Sequence, residues 1–358
     1  MMDLHSLLLW YSENGRHHLP WRTDPTWYRV WVSEIMLQQT QVATVIDYFH
    51  RFLAAFPDVE TLANADESDV LRHWEGLGYY RRARQLYAAA KVMVEKFSGQ
   101  FPEKYSDVLA LPGIGKYTAG AILSFACQQR YPILEANTQR LHARLLGLNQ
   151  PVSDAMSQKR LWQNATDWVC QEQEKPGVIN TALMDLGSMV CVPKNPRCDA
   201  CPLVRDCEAY RRGWVEKIPV VTEKTRYENR HDAAMVVKKG DQICLLRYVS
   251  GQRWAGLWDF PRTEIPDGAD TESTLRAFLK KNVGLNVRVG KPLKSLRHGV
   301  TKYRIRLDCF SGTALSPASL RKQTPQGGEI RWVPLAQLHQ YPLSSTGRKI
   351  AEMLSHDT

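Results

Sequence analysis

The stretch Cys191-Val-Pro-Lys-Asn-Pro-Arg-Cys198-Asp-Ala-Cys201-Pro-Leu-Val-Arg-Asp-Cys207 contains four of the eight cysteines of the chain. Thiolates are soft ligands that suit either a zinc ion or an iron–sulfur cluster, and the spacing alone does not decide between the two. We therefore expect a metal centre in a loop at 191–207, held by Cys191, Cys198, Cys201 and Cys207.

Length and charge limit the kind of protein that surrounds this loop. A chain of 358 residues is long enough for two domains, each with its own core. Its net charge of +10 favours a polyanionic partner, because basic side chains release counterions from nucleic acid when they bind phosphates. The N-terminal apolar run is too short for a secretion signal, and no stretch is long enough to cross a membrane. We expect a cytoplasmic, nucleoid-associated monomer that has no membrane partner.

The two parts of the chain have different periodicities. Up to about residue 212, apolar residues recur at helical spacing between prolines, so that Trp31, Glu34, Ile35 and Gln38 share one helix face. This face places a carboxylate among apolar side chains. The boundaries that we expect are a helical domain at 1–213, a linker at 214–230 and a second domain at 231–358.

The second domain is predicted to be α+β. Apolar and polar residues alternate in Tyr303–Phe310, which is typical of a half-buried strand. We predict further strands at Gln242–Arg247 and Glu329–Val333, and a helix at about Thr271–Val283.

A glycine hairpin lies in the helical part, at Leu111-Pro-Gly113-Ile-Gly115, and an apolar helix follows from Lys116. Glycines allow a phosphate to approach the backbone closely, and the free amides at a helix start donate to anions. The same pattern also occurs as a simple tight turn between two helices.

The hairpin and the cysteine spacing together resemble the helix-hairpin-helix DNA glycosylases related to endonuclease III. The resemblance covers about residues 1 to 212 and implies a multi-domain protein with an all-α glycosylase domain. It implies that Gly113, Gly115 and Lys116 bind the DNA backbone and that the four cysteines hold a 4Fe-4S cluster. Lyase members of the family carry a lysine where this chain has Tyr117. Because a phenol cannot form a Schiff base, we expect no true lyase activity.

Within that family, the stretch Trp31-Val-Ser-Glu34-Ile-Met-Leu-Gln-Gln-Thr40 resembles the adenine-specific, MutY-type branch. The resemblance makes Glu34 the catalytic acid that protonates adenine N7 and turns it into a neutral leaving group. Typical members carry an aspartate where this chain has Glu135, to stabilise positive charge on the sugar. Glu135 keeps the carboxylate one methylene further out; the other reading of it is an ion pair with Arg140 or Arg144. Asn137 or Glu34 would position the attacking water.

The resemblance also assigns residues to substrate contacts. Trp21, Arg22 and Leu37, together with Tyr117, are expected in the adenine pocket. Gln39, Thr40 and Tyr79 are expected to fill the space that the extruded base leaves in the duplex. Arg81, Arg82 and Arg84 would add positive charge for phosphates, or form a solvated basic face.

The second domain resembles the Nudix-like module of this branch, with its best match at Arg253–Pro261. The helix that follows lacks the clustered glutamates that hold Mg²⁺ in active hydrolases. We therefore expect binding without hydrolysis, through a recognition loop that contains Thr301 and Lys302, where relatives carry serine and histidine.

The sequence thus predicts a monofunctional adenine glycosylase that acts on double-stranded DNA, at adenine paired with 8-oxoguanine or guanine. Three alternatives stay open. The first is a glycosylase for thymine opposite guanine or for an oxidised pyrimidine. The second is a catalytically silent DNA-binding or redox-sensing iron–sulfur protein. The third is a nucleotide-pool hydrolase, which the missing glutamates disfavour.

Overall fold

The computed structural model describes residues 3–171, 174–220, 227–252, 254–315 and 321–356. Arg253 of the Nudix-like motif and residues 221–226 of the predicted linker lie outside the described residues. The chain forms two compact units. The first comprises Met1–Asn64 and Gln85–Lys224, and the second comprises Ala65–Arg84 and Thr225–Thr358.

The first unit is helical. Its helices are α1 (Leu4–Asn14), α2 (Pro20–Thr23), α3 (Trp27–Leu37), α4 (Val42–Ala55), α5 (Val59–Asn64), most of α7 (Arg81–Phe97), α8 (Tyr105–Leu109), α9 (Lys116–Phe125), α10 (Ala136–Leu145), α11 (Ala155–Val169), α12 (Pro176–Met189) and α13 (Glu208–Arg211). The short helix α6 (Glu67–His73) belongs to the second unit.

Local chemistry explains where several of these helices begin. Pro20 and Pro176 occupy the first position of α2 and α12, where no backbone donor is needed. The Thr26 side chain accepts from the backbone N–H of Arg29 and caps α3. Helix α3 has the predicted face: Trp31, Glu34 and Ile35 are all buried, and Gln38 follows the helix as its C-cap.

The second unit contains a mixed sheet. Its strands are β1 (Glu228–Lys239), β2 (Gln242–Arg247), β3 (Trp258–Asp259), β4 (Arg262–Glu264), β5 (Val287–Val300), β6 (Tyr303–Ala314) and β7 (Ile330–Pro334). The order is β3-β2-β1-β6-β5, with β4 paired to β1 and β7 to β2. Strands β1 and β6 are parallel, and the other pairs are antiparallel.

Helices cover both faces of this sheet, as expected for an α+β unit. Successive residues of β1 point to opposite faces. Ala234 and Val236 share a core with Leu354 of α15 (Ser345–His356), whereas Met235 shares a core with Leu275 of α14 (Thr271–Phe278). A π-helical turn, Leu279–Val283, continues α14 to the predicted end of that helix. The predicted fold class is confirmed. In the described part of the chain, no helix is long and apolar enough to span a bilayer.

Candidate active site

One large cavity lies within the first unit. Its volume is about 820 Å³, within the range that suits small ligands. The cavity brings together many of the predicted site residues, although they come from four separate parts of the sequence. Those that line it are Trp21, Arg22, Glu34, Leu37, Gln39, Thr40, Tyr117, Glu135 and Asn137.

Glu34 is the buried acid of this cavity. It lies on α3, which packs against α9, and the Tyr117 hydroxyl of α9 donates to Glu34 Oε2 at 2.7 Å. The pKa of Glu34 is raised to about 7, mainly by burial and also by the charge of Glu135, although the hydrogen bond from Tyr117 and the charge of Arg22 lower it. A carboxyl group with this pKa is protonated in part of the molecules at neutral pH and can donate a proton.

Glu135 reaches the cavity as the N-cap of α10. Its carboxylate accepts from the backbone N–H groups of Asn137 at 2.8 Å and Thr138 at 2.9 Å, and from Asn137 Nδ2 at 3.1 Å. These hydrogen bonds hold the carboxylate in one orientation. The alternative prediction is an ion pair of Glu135 with Arg140 or Arg144. The described hydrogen bonds of both arginines are instead donated to other groups, mainly backbone carbonyl oxygens. A fixed carboxylate can stabilise a positive charge that develops in the cavity.

Asn137 connects the cavity to the cysteine loop. Its Oδ1 accepts from Arg140 Nη2 at 3.0 Å, and Arg140 Nε donates to the Cys191 carbonyl at 2.7 Å. Helices α10 and α12 approach closely here, because a Cβ on Gly187 would lie 2.9 Å from the Asn137 carbonyl oxygen. This packing holds the N-terminus of α10, and with it the Glu135 carboxylate, against the loop.

The four cysteines of the loop, Cys191, Cys198, Cys201 and Cys207, line one small apolar cavity. Burial, together with the repulsion that thiolates in this cavity would exert on one another, raises the pKa of Cys201 to about 12. Arg144 Nη1 donates to Cys191 Sγ at 3.3 Å. Four clustered thiolates need a cationic centre, so these residues fit a metal cluster. Among the described residues, no three His, Cys, Asp or Glu side chains are grouped to hold a single metal ion.

The glycine hairpin precedes α9. Gly113 has a φ of +77°, and a Cβ there would lie 2.7 Å from Gln85 Cβ, so the turn requires glycine on two counts. Gly115 caps α9, and Lys116 is its exposed first residue. The free amides at this helix start can bind an anion.

Tyr79 lies in the second unit and is exposed at 48% of its surface, in a left-handed backbone conformation with a φ of +47°. Arg82 is buried against the rings of Trp74 and Tyr79, so the alternative prediction of a solvated basic face is wrong for this residue. Arg84 donates to the Ala255 carbonyl. The buried Arg82 guanidinium packs against the Tyr79 ring and so supports this exposed side chain.

Thr301 and Lys302 form the turn between β5 and β6, and both are exposed. Thr301 has a φ of +52°, which is uncommon for a β-branched residue. Lys302 Nζ pairs with Glu228 Oε1 at 2.6 Å.

Sequence reasoning missed a group of ion pairs beside the cavity that contains Glu34. Arg16 lines it, and Asp185 of α12 lies behind it, paired with Arg16 and Arg22. Asp185 interrupts the apolar run from Ala182 to Leu186, and a lone carboxylate on a buried helix is a signal for a buried partner.

Comparisons with known proteins agree with this architecture. Residues 32–166 match the family model of the HhH-GPD superfamily base excision DNA repair protein, and residues 233–353 match the NUDIX domain model. The chain is 36% identical over 303 residues to the adenine DNA glycosylase of Buchnera aphidicola subsp. Schizaphis graminum, a match that covers 84% of each protein. The chain belongs to the adenine DNA glycosylase family. The predicted family and function, an adenine-releasing DNA glycosylase of base excision repair, are confirmed.

Two further relatives extend the comparison. The adenine DNA glycosylase of Mus musculus is 40% identical over 266 residues, which cover 72% of this chain and 50% of the mouse protein. The solved structure of a thermostable thymine-DNA glycosylase is 26% identical, with a TM-score of 0.53, and the match covers 58% of this chain and 94% of that chain. Over 58% of its length, this chain therefore shares its fold with a glycosylase that is named for a different base.

Proposed function

We propose that this enzyme hydrolyses the N-glycosidic bond of adenine opposite 8-oxoguanine or guanine in double-stranded DNA, without lyase chemistry. The observation that carries the proposal is the convergence of a protonatable Glu34 and a fixed Glu135 on one cavity of about 820 Å³. The extruded adenine would enter this cavity between Trp21, Arg22 and Leu37.

Glu34 is the acid of the proposed reaction. Its carboxyl proton passes to adenine N7, the C1′–N9 bond breaks, and the bonding electrons leave with the now neutral base. The Tyr117 hydroxyl holds the carboxyl group through its 2.7 Å hydrogen bond, which fixes the direction of proton transfer.

Glu135 stabilises the positive charge that the sugar ring then carries. Its oxygens are held by the start of α10 and by Asn137, so little reorganisation is needed when the charge appears. Water then attacks C1′ and gives a proton back to the Glu34 carboxylate. Asn137 helps to position this water. These steps restore the starting protonation state of the enzyme.

We expect no lyase activity because Tyr117 stands where lyase members of the family carry a lysine nucleophile. Schiff-base formation needs an amine, whereas Tyr117 presents a phenol whose pKa is raised well above its usual value by burial and by the charge of Glu34. Lys116, the neighbouring amine, is exposed at the helix start and is proposed to contact DNA phosphate together with Gly113 and Gly115.

We propose that the cysteine cavity holds a 4Fe-4S cluster. Each thiolate of such a cluster binds its own iron, which suits four thiols arranged around a cavity. When bound, the cluster would supply a structural crosslink for the 191–207 loop. Arg144 donates to the Val192 carbonyl as well as to Cys191 Sγ and would hold the loop around it.

An assay of defined duplexes tests the proposed function. Duplexes with adenine opposite 8-oxoguanine, adenine opposite guanine, or thymine opposite guanine are incubated with the enzyme, and abasic sites are scored with and without alkali. We expect adenine release that becomes strand cleavage only after alkali. Cleavage without alkali would contradict the interpretation of Tyr117, and thymine release would contradict the proposed substrate.

The role of Glu135 is tested by a matched pair of variants. Glu135→Gln should lower the single-turnover rate of adenine release by about 10²- to 10³-fold, as expected when an electrostatic stabiliser is lost. Glu135→Asp keeps the charge and should retain far more activity. Because glutamine and aspartate can both cap α10, equal thermal unfolding midpoints would separate the rate effect from loss of folding. Equal rates for the two variants would overturn the assignment.

We further propose that the turn at Thr301 and Lys302 reads the oxidised guanine. Guanine N7 accepts a hydrogen bond, whereas N7 of 8-oxoguanine carries a hydrogen, so a threonine hydroxyl whose own proton is donated elsewhere would accept only from the oxidised base. Thr301→Ala should narrow the preference for 8-oxoguanine over guanine by about 2- to 10-fold, the value of one neutral hydrogen bond. Thr301→Ser is the control that keeps the hydroxyl, and an unchanged preference in Thr301→Ala would exclude this contact.

A further inference from the structure

Asp185 is a fully buried carboxylate that the proposed mechanism does not use. Its side chain has no exposed surface, and it lies on α12 among apolar residues such as Leu183 and Leu186. Ionised carboxylates are rarely buried to this extent unless they are paired, because desolvation costs several kcal/mol.

Two arginines pair with this carboxylate. Arg22 donates from Nη1 to Oδ2 at 2.7 Å and from Nη2 to Oδ1 at 3.0 Å, a bidentate geometry. Arg16 donates from Nε to Oδ1 at 2.8 Å and from its backbone N–H to Oδ2 at 2.9 Å. Burial alone would raise the pKa of Asp185, but the hydrogen bonds and charges of Arg22 and Arg16 outweigh it and hold that pKa below its usual value.

Both arginines line the cavity that contains Glu34. The charge of Arg22 acts directly on Glu34 and favours its ionised form. An Arg22 guanidinium without its counter-ion would therefore draw the proton away from the acid. Asp185, the bidentate partner of Arg22, holds the Arg22 guanidinium at the cavity wall. Its negative charge also offsets the effect of the Arg22 charge on Glu34.

We propose that Asp185 is a positioning residue of the glycosylase reaction, which clamps Arg22 and Arg16 at the cavity wall and offsets the charge of Arg22 so that Glu34 keeps its proton. The proposal rests on the proposed role of Glu34 as the acid. The pairs of Asp185 with Arg22 and Arg16 join α12 to the segment around α2. Asp185 therefore affects Glu34 from outside α3, α9 and α10, the helices at which Glu34, Tyr117 and Glu135 lie.

Several charged or titratable groups face Glu34 and contribute to its ionisation. Tyr117 donates from α9, Arg22 faces it from α2, and Glu135 faces it from the start of α10. Arg16 and Lys175 line the same cavity. Asp185→Asn removes none of these five groups, so its effect on the acid should pass mainly through Arg22, which loses its counter-ion.

The experiment is a pH profile of the single-turnover rate, measured on a duplex with adenine opposite 8-oxoguanine. In Asp185→Asn, which keeps the side-chain shape, the alkaline limb should move to lower pH by about half a unit or more, because the Arg22 charge is no longer offset. Arg22→Gln should move the limb to higher pH. The double variant should lose the downward shift of Asp185→Asn.

Arg16→Gln is the matched control, because it removes the other partner of Asp185 while leaving the bidentate Arg22 pair; its limb should stay near the wild-type position. A lower rate in Asp185→Asn with an unmoved limb would overturn the proposal, since a purely structural role predicts that result. If Asp185→Asn fails to fold, an unmoved limb in Arg22→Gln would overturn it equally. Full activity in Glu34→Gln would instead contradict the proposed function itself.

Discussion

Replacing Glu34 with glutamine is expected to lower the single-turnover rate of adenine release by about 10²- to 10⁴-fold, the contribution of a general acid. Glutamine keeps the shape of the side chain and can still accept from the Tyr117 hydroxyl, but it has no proton to give. In the wild-type enzyme, the rate should fall as the pH rises through about 7, where Glu34 loses its proton.

Although Glu34→Gln should lower the rate, it should raise the stability of the folded protein at alkaline pH. The pKa of Glu34 is raised from 4.5 to about 7 in the folded protein, so its stabilising contribution is present below about pH 4.5 and is lost as the pH rises through 7. At pH 8, Glu34→Gln should therefore unfold at a higher temperature, with a gain of at most about 3 kcal/mol. The gain should vanish at pH 4.

Glu95→Gln is the control for this pair of measurements, since Glu95 is exposed on α7. It should change neither the rate nor the pH dependence of unfolding. A Glu34→Gln variant that keeps its activity, or that is no more stable at pH 8 than the wild-type protein, would show that Glu34 is not a buried acid.

Replacing Arg262 with methionine is expected to destabilise the second unit by about 3–5 kcal/mol, because it removes the buried cation that lies beside two buried carboxylates. Arg262 donates to Asp232 Oδ2 at 2.7 Å and lies 3.7 Å from Asp259 Oδ2, and all three side chains are at most 3% exposed. Burial raises the pKa of Asp259 even with Arg262 present.

Hydrogen exchange in β1 and β6 would measure this loss within the second unit, apart from the helical unit. The destabilisation should be smaller at pH 4 than at pH 8, because the buried Asp259 carboxylate, whose pKa is already raised, can then take up a proton. Arg230→Met is the matched control: Arg230 also pairs with Asp232, but it is 25% exposed, and its loss should cost about 1 kcal/mol or less. Equal losses in the two variants would show that burial of the cation does not decide the effect.

Much of the fold and some of the site could be predicted from local patterns. The face of α3 that buries Glu34, the alternation in β6 and the turn signals around Gly113 each depend on residues a few positions apart. Backbone geometry and side-chain period act at that range, so the sequence alone determined these elements. It also determined which thiols could share a metal, because the four cysteines are close along the chain.

Only the tertiary structure decided what the charged groups do. Glu135 caps α10 instead of pairing with Arg140, and Arg82 packs against Trp74 instead of facing solvent. Asp185 meets Arg22 across 163 positions of sequence. The state of a charge depends on its burial and on the charges that surround it, and these are set by contacts between distant segments, which no local pattern specifies.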